Sequence, residues 1–176
     1  MIHYQDDTLI IRDMLPTDGP RLCAAYVAQG WHDDEDGYRL RLADHIAGRC
    51  IALIAEAEGA PVGNLYLYRE AEGGPFRGRG VPIVVDLSVL QKYQGRGIAT
   101  RLMDTAEALA RRWAGEICLG VGLSREYGRA QRIYTRRGYV PDGSGVWYRD
   151  EQCVQYETVC TVDDDLVIFL SKDLGS

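Results

Sequence analysis

The chain has 176 residues, 46% of them hydrophobic, which suits one domain with a substantial core. Twenty Lys and Arg residues against 26 Asp and Glu residues give a formal net charge of −6. This acidic balance disfavours a broad nucleic-acid-binding surface and favours a small cationic or amine substrate. The longest apolar stretches, residues 50–55 and 166–170, are far shorter than the roughly 20 residues of a membrane helix, so no membrane partner is expected.

Five cysteines are present, an odd number with no Cys-x-x-Cys pair. This usage favours a reducing compartment, and residues 1–7 show no targeting pattern, so we expect a cytoplasmic protein. Cys23, Cys50 and Cys118 lie in apolar runs and are expected to be buried, whereas Cys153 and Cys160 are candidates for surface thiols. No cluster of His, Cys and carboxylates has the spacing of metal ligands, so no metal is expected.

The first part of the chain predicts a strand followed by two helices. Residues 9–14 are apolar and β-prone, and a turn-forming Pro-Thr-Asp sequence follows them. Apolar residues at helical spacing then predict short helices over 22–29 and 38–47. Between these helices, residues 31–36 place a tryptophan and a histidine before four carboxylates. This segment is either a solvated loop or a contact for a cationic ligand.

The middle of the chain predicts a β-hairpin and a further strand. Two alternating apolar runs, 50–57 and 62–70, flank the turn-forming residues 58–61. The glycine-rich residues 73–80 predict an exposed loop. A strand over residues 81–90 follows that loop.

A long amphipathic helix comes next. Apolar residues recur at helical spacing from Ile98 to Trp113. A strand over 116–121 and a helix over 129–137 follow, and Gly138 stands just past that helix, where glycine is favoured.

A strand over 166–171 closes the chain. Strands and helices therefore alternate without internal repeats or low-complexity linkers. This order predicts a single α/β domain over residues 1–176.

Residues 94–99, Gln-Gly-Arg-Gly-Ile-Ala, join the strand 81–90 to the long helix. Two glycines allow the backbone to turn without a Cβ clash. The first N–H groups of the helix then point out of the turn, with the positive end of the helix dipole behind them. This turn is therefore predicted to bind an anion, and phosphate suits it best.

At this turn the sequence resembles the GNAT superfamily of N-acetyltransferases, whose acyl-CoA loop has the pattern Gln/Arg-x-x-Gly-x-Gly/Ala. Gln94, Gly97 and Ala99 match it. Residues 130–139 resemble a second motif of the family, Ala-x-x-x-Tyr-x-x-x-Gly-Phe/Tyr, and the likeness extends to Leu170. It implies an α/β fold with a mixed, mostly antiparallel sheet of about seven strands flanked by about four helices. Homodimers are frequent in the family, and an exposed edge strand near the C-terminus would permit one.

The resemblance implies that acetyl-CoA is the cosubstrate and that its pyrophosphate rests on backbone amides of the loop. The pantetheine arm is expected to pair with the strand at Leu87 and Val89, with the Val89 N–H polarising the thioester carbonyl. Ala130, which opens the second motif, is a further expected contact. Many members carry an asparagine three residues before this alanine, where the present chain has Tyr127. The expected loop contacts are Gln94, Gly95, Arg96, Gly97, Ile98 and Ala99.

Three side chains leave alternatives open. The Arg96 guanidinium either adds charge against a phosphate or is solvated. Tyr134 stands where the family has a tyrosine near the thioester sulfur, and it either protonates the departing CoA thiolate or is a core aromatic. A primary amine, with a pKa of about 10, must lose a proton before it attacks. Asp86 stands where the family often supplies a base, and otherwise it faces solvent or bonds to a turn; Glu70 is the other candidate.

Charge is unevenly spread near the C-terminus. Five arginines lie between residues 125 and 137, whereas residues 150–165 contain six acids and no Lys or Arg. Trp147, Tyr148 and Tyr156 are interleaved with these acids, so the segment either holds an amine or forms a flexible acidic loop.

The sequence therefore predicts an N-acetyltransferase that moves an acetyl group from acetyl-CoA to a small-molecule or peptide amine by direct attack in a ternary complex. The alternative is an acyl-CoA-binding sensor or interaction module without turnover.

Overall fold

The computed structural model describes residues 1–175, which form nine strands and four helices. The strands are β1 (Ile2–Gln5), β2 (Ile10–Asp13), β3 (Cys50–Ala57), β4 (Ala60–Tyr68), β5 (Ile83–Val89), β6 (Glu116–Gly122), β7 (Val140–Tyr148), β8 (Glu151–Gln152) and β9 (Leu166–Asp173). The helices are α1 (Asp18–Ala28), α2 (Glu35–Ile46), α3 (Ile98–Ala110) and α4 (Gly128–Arg136).

The strands follow the sheet order β1-β2-β3-β4-β5-β6-β9-β7-β8. β5 and β6 are parallel, whereas the β1–β2, β2–β3, β3–β4, β6–β9 and β7–β9 pairs are antiparallel. The predicted α/β class, with a mixed and mostly antiparallel sheet, is confirmed. The described residues group into two compact units, the first made of residues 1–68 and 85–109 and the second of residues 69–84 and 110–175.

The hairpin of β3 and β4 forms the centre of the first unit. Its side chains are buried along nearly the whole length of both strands. Ala57 pairs with Ala60, and the two residues between them, Glu58 and Gly59, both have positive φ, 54° and 73°. Two left-handed residues match the twist of a two-residue hairpin turn, which explains the glycine at the second position.

The helices of the first unit begin and end close to the predicted positions. α2 begins at an aspartate cap, since the Asp34 side chain accepts hydrogen bonds from the Asp36 and Gly37 amides. α3 buries the predicted apolar stripe, including Ile98, Leu102 and Met103. The amphipathic pattern thus identified the long helix and the face that it buries.

In the second unit, β6 and β9 pair from Glu116–Asp173 to Gly122–Val167, and Phe169 lies at the centre of an aromatic cluster. The Phe169 ring packs against Phe76 at 6.4 Å and edge-on against Trp147 at 5.7 Å between centroids. Gly74 is required beneath this ring because a Cβ there would lie 2.3 Å from Phe169. The cluster fixes the 73–80 loop against the sheet of this unit.

The sheet has more strands than the predicted number of about seven. β1 is a four-residue strand that pairs with β2 across a register shift, and β8 contains two exposed residues, too short for a periodic pattern. β7 has no counterpart among the predicted elements. Its ladder with β9 is interrupted between Pro141 and Val146, where Gly143 and Gly145 adopt positive φ. Glycines that mark a turn in a sequence therefore build an irregularity within a strand here.

Among the described residues, no helix combines the length and the apolar character that spanning a membrane would require.

Candidate functional site

The turn between β5 and α3 has the backbone conformation that its glycines indicate. Gly95 and Gly97 have φ of 78° and 81°, in the left-handed region that glycine adopts without strain. The Gln94 side chain folds back and donates from Nε2 to the Val89 carbonyl at 3.0 Å. This bond fixes the start of the turn to the end of the strand.

A row of backbone N–H groups opens from this turn. The first hydrogen bond of the helix runs from the Arg101 amide to the Gly97 carbonyl, at 3.0 Å. Within the described residues, none of the amides of residues 95–100 donates to a protein acceptor. These donors lie at the positive end of α3, a helix of 13 residues. Such a row of donors suits an anion, and the pyrophosphate site that the sequence predicts here stays a prediction.

The Arg96 side chain has partners of its own in the first unit. Its guanidinium lies over the Tyr93 ring at 5.0 Å and 3.8 Å from Glu58 Oε1. The Tyr93 hydroxyl donates to Glu58 Oε2 at 3.0 Å. A cavity of about 730 Å³ lies beside this group, and Gly97 and Thr100 contribute to its lining. The Arg96 guanidinium therefore has protein partners, whereas the amides of residues 95–100 have none among the described residues.

Asp86 has an unusual main-chain conformation. Its φ is +53°, which is uncommon for a residue with a Cβ and interrupts the regular pleat of β5. Asn64 of β4, only 3% exposed, donates from Nδ2 to the Asp86 carbonyl at 2.8 Å. Asn64 Oδ1 in turn accepts a hydrogen bond from the Tyr26 hydroxyl at 3.2 Å. A buried side-chain network therefore holds this strained position.

The Asp86 carboxylate is ion-paired through one of its two oxygens. Arg41 of α2 donates to Oδ2 from Nη2 at 2.8 Å and from Nε at 3.1 Å. The Asp86 side chain is 51% exposed, and within residues 1–175 its Oδ1 has no protein partner. One oxygen is thus anchored while the other is available to a proton donor. Asp86 therefore faces solvent in part, as one predicted alternative had it, but its partner is an arginine of α2 and not a turn.

Leu87 and Val89, the two β5 residues predicted to pair with the pantetheine arm, follow Asp86 in the chain. Val89 is buried, and Leu87 is half-buried. The parallel ladder of β5 with β6 comprises Ile83–Cys118 and Val84–Leu119, so Leu87 and Val89 are not among its paired residues.

Tyr134 and Ala130 belong to the second unit, one turn apart on α4. Tyr134 is 6% exposed, and its ring meets Tyr139 edge-on at 5.9 Å between centroids. Its main-chain carbonyl accepts from the Tyr139 amide at 3.1 Å, in the turn that ends the helix. Tyr134 therefore packs as a core aromatic, one of the two roles that the sequence offered. The other role, proton donation by its hydroxyl, stays a prediction.

Tyr127, at the position where many family members have asparagine, is also integrated into the second unit. Its hydroxyl donates to Asp164 Oδ1 at 2.9 Å. Its ring covers Gly122, where a Cβ would lie 2.4 Å away. Gln131 donates from Nε2 to the Gly122 carbonyl at 2.8 Å, which completes this local packing.

The acidic segment near the C-terminus has several internal partners. Asp150 accepts from the Gly74 amide at 2.6 Å and pairs with Arg77. Trp147 packs in the Phe169 cluster and donates to the Ser144 hydroxyl at 2.8 Å. Tyr156, by contrast, is 98% exposed. Trp147, one of the three aromatic residues predicted to bind an amine, therefore packs within the Phe169 cluster.

The cysteines follow the predicted division. Cys23, Cys50 and Cys118 are buried, Cys153 is half-buried and Cys160 is exposed. Burial raises the pKa of the Cys118 thiol to about 12 and that of the Cys50 thiol to about 11. A thiol with such a pKa is a poor nucleophile at neutral pH, so a covalent route through Cys118 is disfavoured.

Two residues of this site were missed by the sequence reasoning. Asn64 had a usable signal because it is the one amide side chain in the otherwise apolar strand β4. Arg41 had none, since α2 carries charged residues on much of its surface and nothing in its spacing pairs it with Asp86.

Comparison with known families assigns the class of protein. The sequence profile of the acetyltransferase (GNAT) domain matches residues 48–141, more than half of the chain. The chain therefore belongs to the GNAT acetyltransferase family, as its two motifs indicated. This family uses acetyl-CoA as cosubstrate. A search of curated protein sequences found no significant match.

Solved structures share this fold along nearly their entire length. A Salmonella typhimurium acetyltransferase that modifies the N-terminal serine of ribosomal protein L7/L12 superposes with a TM-score of 0.71 at 12% identity, covering 98% of this chain and 99% of that one. The Escherichia coli ribosomal-protein-S18-alanine N-acetyltransferase gives 0.68 at 14% identity, with 96% and 95% covered. A Salmonella typhimurium protein assigned as an acetyltransferase, solved with acetyl-CoA, gives 0.67 at 16% identity, with 96% and 95% covered. At these identities the likeness supports the fold.

Proposed function

We propose that this chain transfers an acetyl group from acetyl-CoA to a primary amine by direct attack in a ternary complex. The proposal is carried by the row of amides over residues 95–100, which have no protein acceptor within the described part of the chain. Together with the left-handed Gly95 and Gly97, it offers several N–H donors to one pyrophosphate. The match to the GNAT domain supports an acetyl-CoA ligand over other phosphate compounds.

The residues proposed to hold acetyl-CoA are those that the sequence predicted. The amides of the 94–99 loop bind the pyrophosphate, and the Gln94 side chain keeps the loop in place. The β5 backbone at Leu87 and Val89 binds the pantetheine arm, and the Val89 N–H donates to the thioester carbonyl. Ala130 provides a small contact on α4. When bound, acetyl-CoA supplies an acetyl group activated as a thioester.

Asp86 is the proposed proton acceptor for the amine. An alkylammonium has a pKa of about 10 and must be deprotonated before its nitrogen can attack. Among the described residues Asp86 Oδ1 has no protein partner, and the side chain is half-exposed, so an ammonium group or a bridging water can reach it. The same negative charge attracts the cationic form of the substrate.

Tyr134 is the proposed proton donor. Its hydroxyl gives a proton to the sulfur of CoA as the thiolate departs, which avoids release of a strong nucleophile into the site. Packing against Tyr139 limits the motion of its ring and so favours a defined hydroxyl position.

The acceptor is proposed to be a small-molecule or peptide amine. Two structural relatives acetylate amino groups of ribosomal proteins, by their names. The net charge of −6 suits an acceptor that carries a positive charge. Five cysteines without disulfide bonds are consistent with a protein of the reducing cytoplasm.

Isothermal titration with acetyl-CoA and with CoA, followed by a thiol-release assay over a panel of amines, tests the proposal. The panel contains a polyamine, an aminoglycoside, an amino-acid derivative and a peptide with a free N-terminus. Micromolar binding with amine-dependent CoA release is the expected result. Binding without release to any of these amines would favour an acyl-CoA sensor, and no binding would refute the loop assignment.

A pair of glycine variants makes the binding test specific. Gly97→Ala and Gly78→Ala both place a Cβ in open space at positive φ, 81° and 71°, and so introduce similar backbone strain. Only Gly97 belongs to the proposed phosphate turn. We expect Gly97→Ala to weaken acetyl-CoA binding by about tenfold and Gly78→Ala to leave it unchanged.

A further inference from the structure

The orientation of the Asp86 carboxylate depends on a residue of another element. Asp86 lies on β5, and Arg41 lies on α2, 45 residues earlier in the chain. Two guanidinium nitrogens of Arg41 donate to the same oxygen, Oδ2, at 2.8 and 3.1 Å. Two donors on one oxygen hold that oxygen in place more firmly than a single hydrogen bond does.

Arg41 is itself held by several groups of the same unit. Its third guanidinium nitrogen, Nη1, donates to the Tyr68 hydroxyl at 2.7 Å. The guanidinium carbon lies 5.4 Å from the centre of the Tyr66 ring and 5.3 Å from that of Tyr68. Its side chain is only 24% exposed. Arg41 is therefore a restrained group rather than a mobile surface arginine.

A second layer restrains the tyrosine. The Tyr68 hydroxyl donates to Asp44 Oδ2, and Asp44 also pairs with Arg49. Burial and the hydrogen bond to Asp44 raise the pKa of Tyr68 to about 12, so it stays a neutral donor. All three guanidinium nitrogens of Arg41 thus have acceptors in the first unit.

The network has a consequence for the free oxygen of Asp86. Since Arg41 occupies Oδ2, rotation of the carboxylate about its Cβ–Cγ bond would break both contacts. Oδ1 therefore keeps one direction, and it is the oxygen without a protein partner among residues 1–175. A proton acceptor works efficiently only when the accepting atom is held within hydrogen-bond reach of the donor.

We propose that Arg41 is a positioning residue that orients Asp86 Oδ1 toward the acceptor amine. This inference rests on the proposed function, because it requires that Asp86 accept the proton of the amine. Arg41 acts through Asp86 and is not assigned a contact with either substrate. Its removal is therefore expected to impair the amine-dependent step and to leave acetyl-CoA binding intact.

A double-mutant cycle tests this coupling. The variants are Arg41→Gln, Asp86→Asn and the combination of both, with kcat and KM for the amine and the dissociation constant of acetyl-CoA measured for each. We expect Arg41→Gln to lower kcat/KM for the amine by about tenfold, mainly through kcat, and to cause little further loss when Asp86 is already asparagine.

Two further variants separate positioning from general effects. Arg39→Gln is the matched control, because Arg39 lies on the same helix and pairs with Asp36 on the exposed surface. It is expected to leave all three constants unchanged. Arg41→Lys retains the charge but cannot make the two-point contact, so it is expected to recover only part of the lost kcat. Melting temperatures establish that each variant is folded.

The outcomes distinguish the inference from the function on which it rests. Equal losses from Arg41→Gln in the wild-type and Asp86→Asn backgrounds would overturn the positioning role, because the effect would then not pass through Asp86. Weakened acetyl-CoA binding in a folded Arg41→Gln variant would also overturn it. Wild-type protein that binds no acetyl-CoA and releases no thiol would instead refute the proposed function, and the inference would fall with it.

Discussion

Asn64 Nδ2 donates to the main-chain carbonyl of Asp86 across 2.8 Å and so ties the irregular point of β5 to the interior of β4. Asp86 has a positive φ, and a residue with a Cβ pays a conformational penalty there unless its surroundings hold it. Asn64 is buried, and its own oxygen accepts from Tyr26. The amide side chain thus connects α1, β4 and β5 of the first unit.

Replacing this amide is expected to destabilise the protein. Asn64→Leu has a similar volume but removes the donor to the Asp86 carbonyl and the acceptor of the Tyr26 hydroxyl. We therefore expect the free energy of unfolding, measured by urea titration, to fall by about 2 kcal/mol. Tyr26→Phe keeps the hydrogen bond from Asn64 to Asp86, and we expect it to lower the free energy of unfolding by about 1 kcal/mol. A loss no larger for Asn64→Leu than for Tyr26→Phe would show that the Asp86 bond contributes little.

Tyr134→Phe removes the proposed proton donor and retains the ring that packs against Tyr139. We expect acetyl transfer to fall by about 100-fold, within the range of general acid catalysis, with acetyl-CoA affinity roughly unchanged. Turnover measured by thiol release and binding measured by titration check the two parts. Unchanged turnover would remove Tyr134 from the acid role and leave it the core aromatic that its burial also suits.

Asp86→Asn should alter the dependence of rate on pH. A carboxylate can accept the proton of the amine, whereas the amide of asparagine cannot. The variant should therefore be slower, and its rate should depend on pH differently from that of the wild type. Asp36→Asn, at the exposed pair with Arg39, serves as a control with an unaltered profile. An unaltered profile in Asp86→Asn itself would assign the proton to water or another group.

Thiol labelling should follow burial. Cys160 is exposed and Cys153 half-buried, whereas Cys23, Cys50 and Cys118 are enclosed. Because burial raises the pKa of Cys118 to about 12, very little of its reactive thiolate is present at pH 8. Brief iodoacetamide treatment followed by peptide mass spectrometry is expected to modify Cys160 first, and all five cysteines after unfolding in urea. Early modification of Cys118 would contradict its enclosed position.

The local features of the fold could be predicted because short-range physics determines them. The stripe from Ile98 specified α3 and its buried face, and the glycines of residues 94–99 specified the turn before it. Each of these depends on neighbours within a few residues, through helical periodicity, the freedom of glycine and the orphan amides of a helix start. The same reasoning failed for β7, because Gly143 and Gly145 allow either a turn or a strand irregularity, and pairing with β9 decides between them.

The sequence by itself thus determined the family, the α/β class and the glycine turn before α3, and it offered Asp86 as a candidate base. Only the tertiary structure decided how Asp86 is held, since Asn64 and Arg41 are 22 and 45 residues away from it in the chain. Contacts over such separations depend on strand register and on the angle at which a helix packs, and a single sequence encodes these only through the whole fold. The sequence therefore shows that a carboxylate stands at position 86, but only the tertiary structure determines the direction of its oxygens.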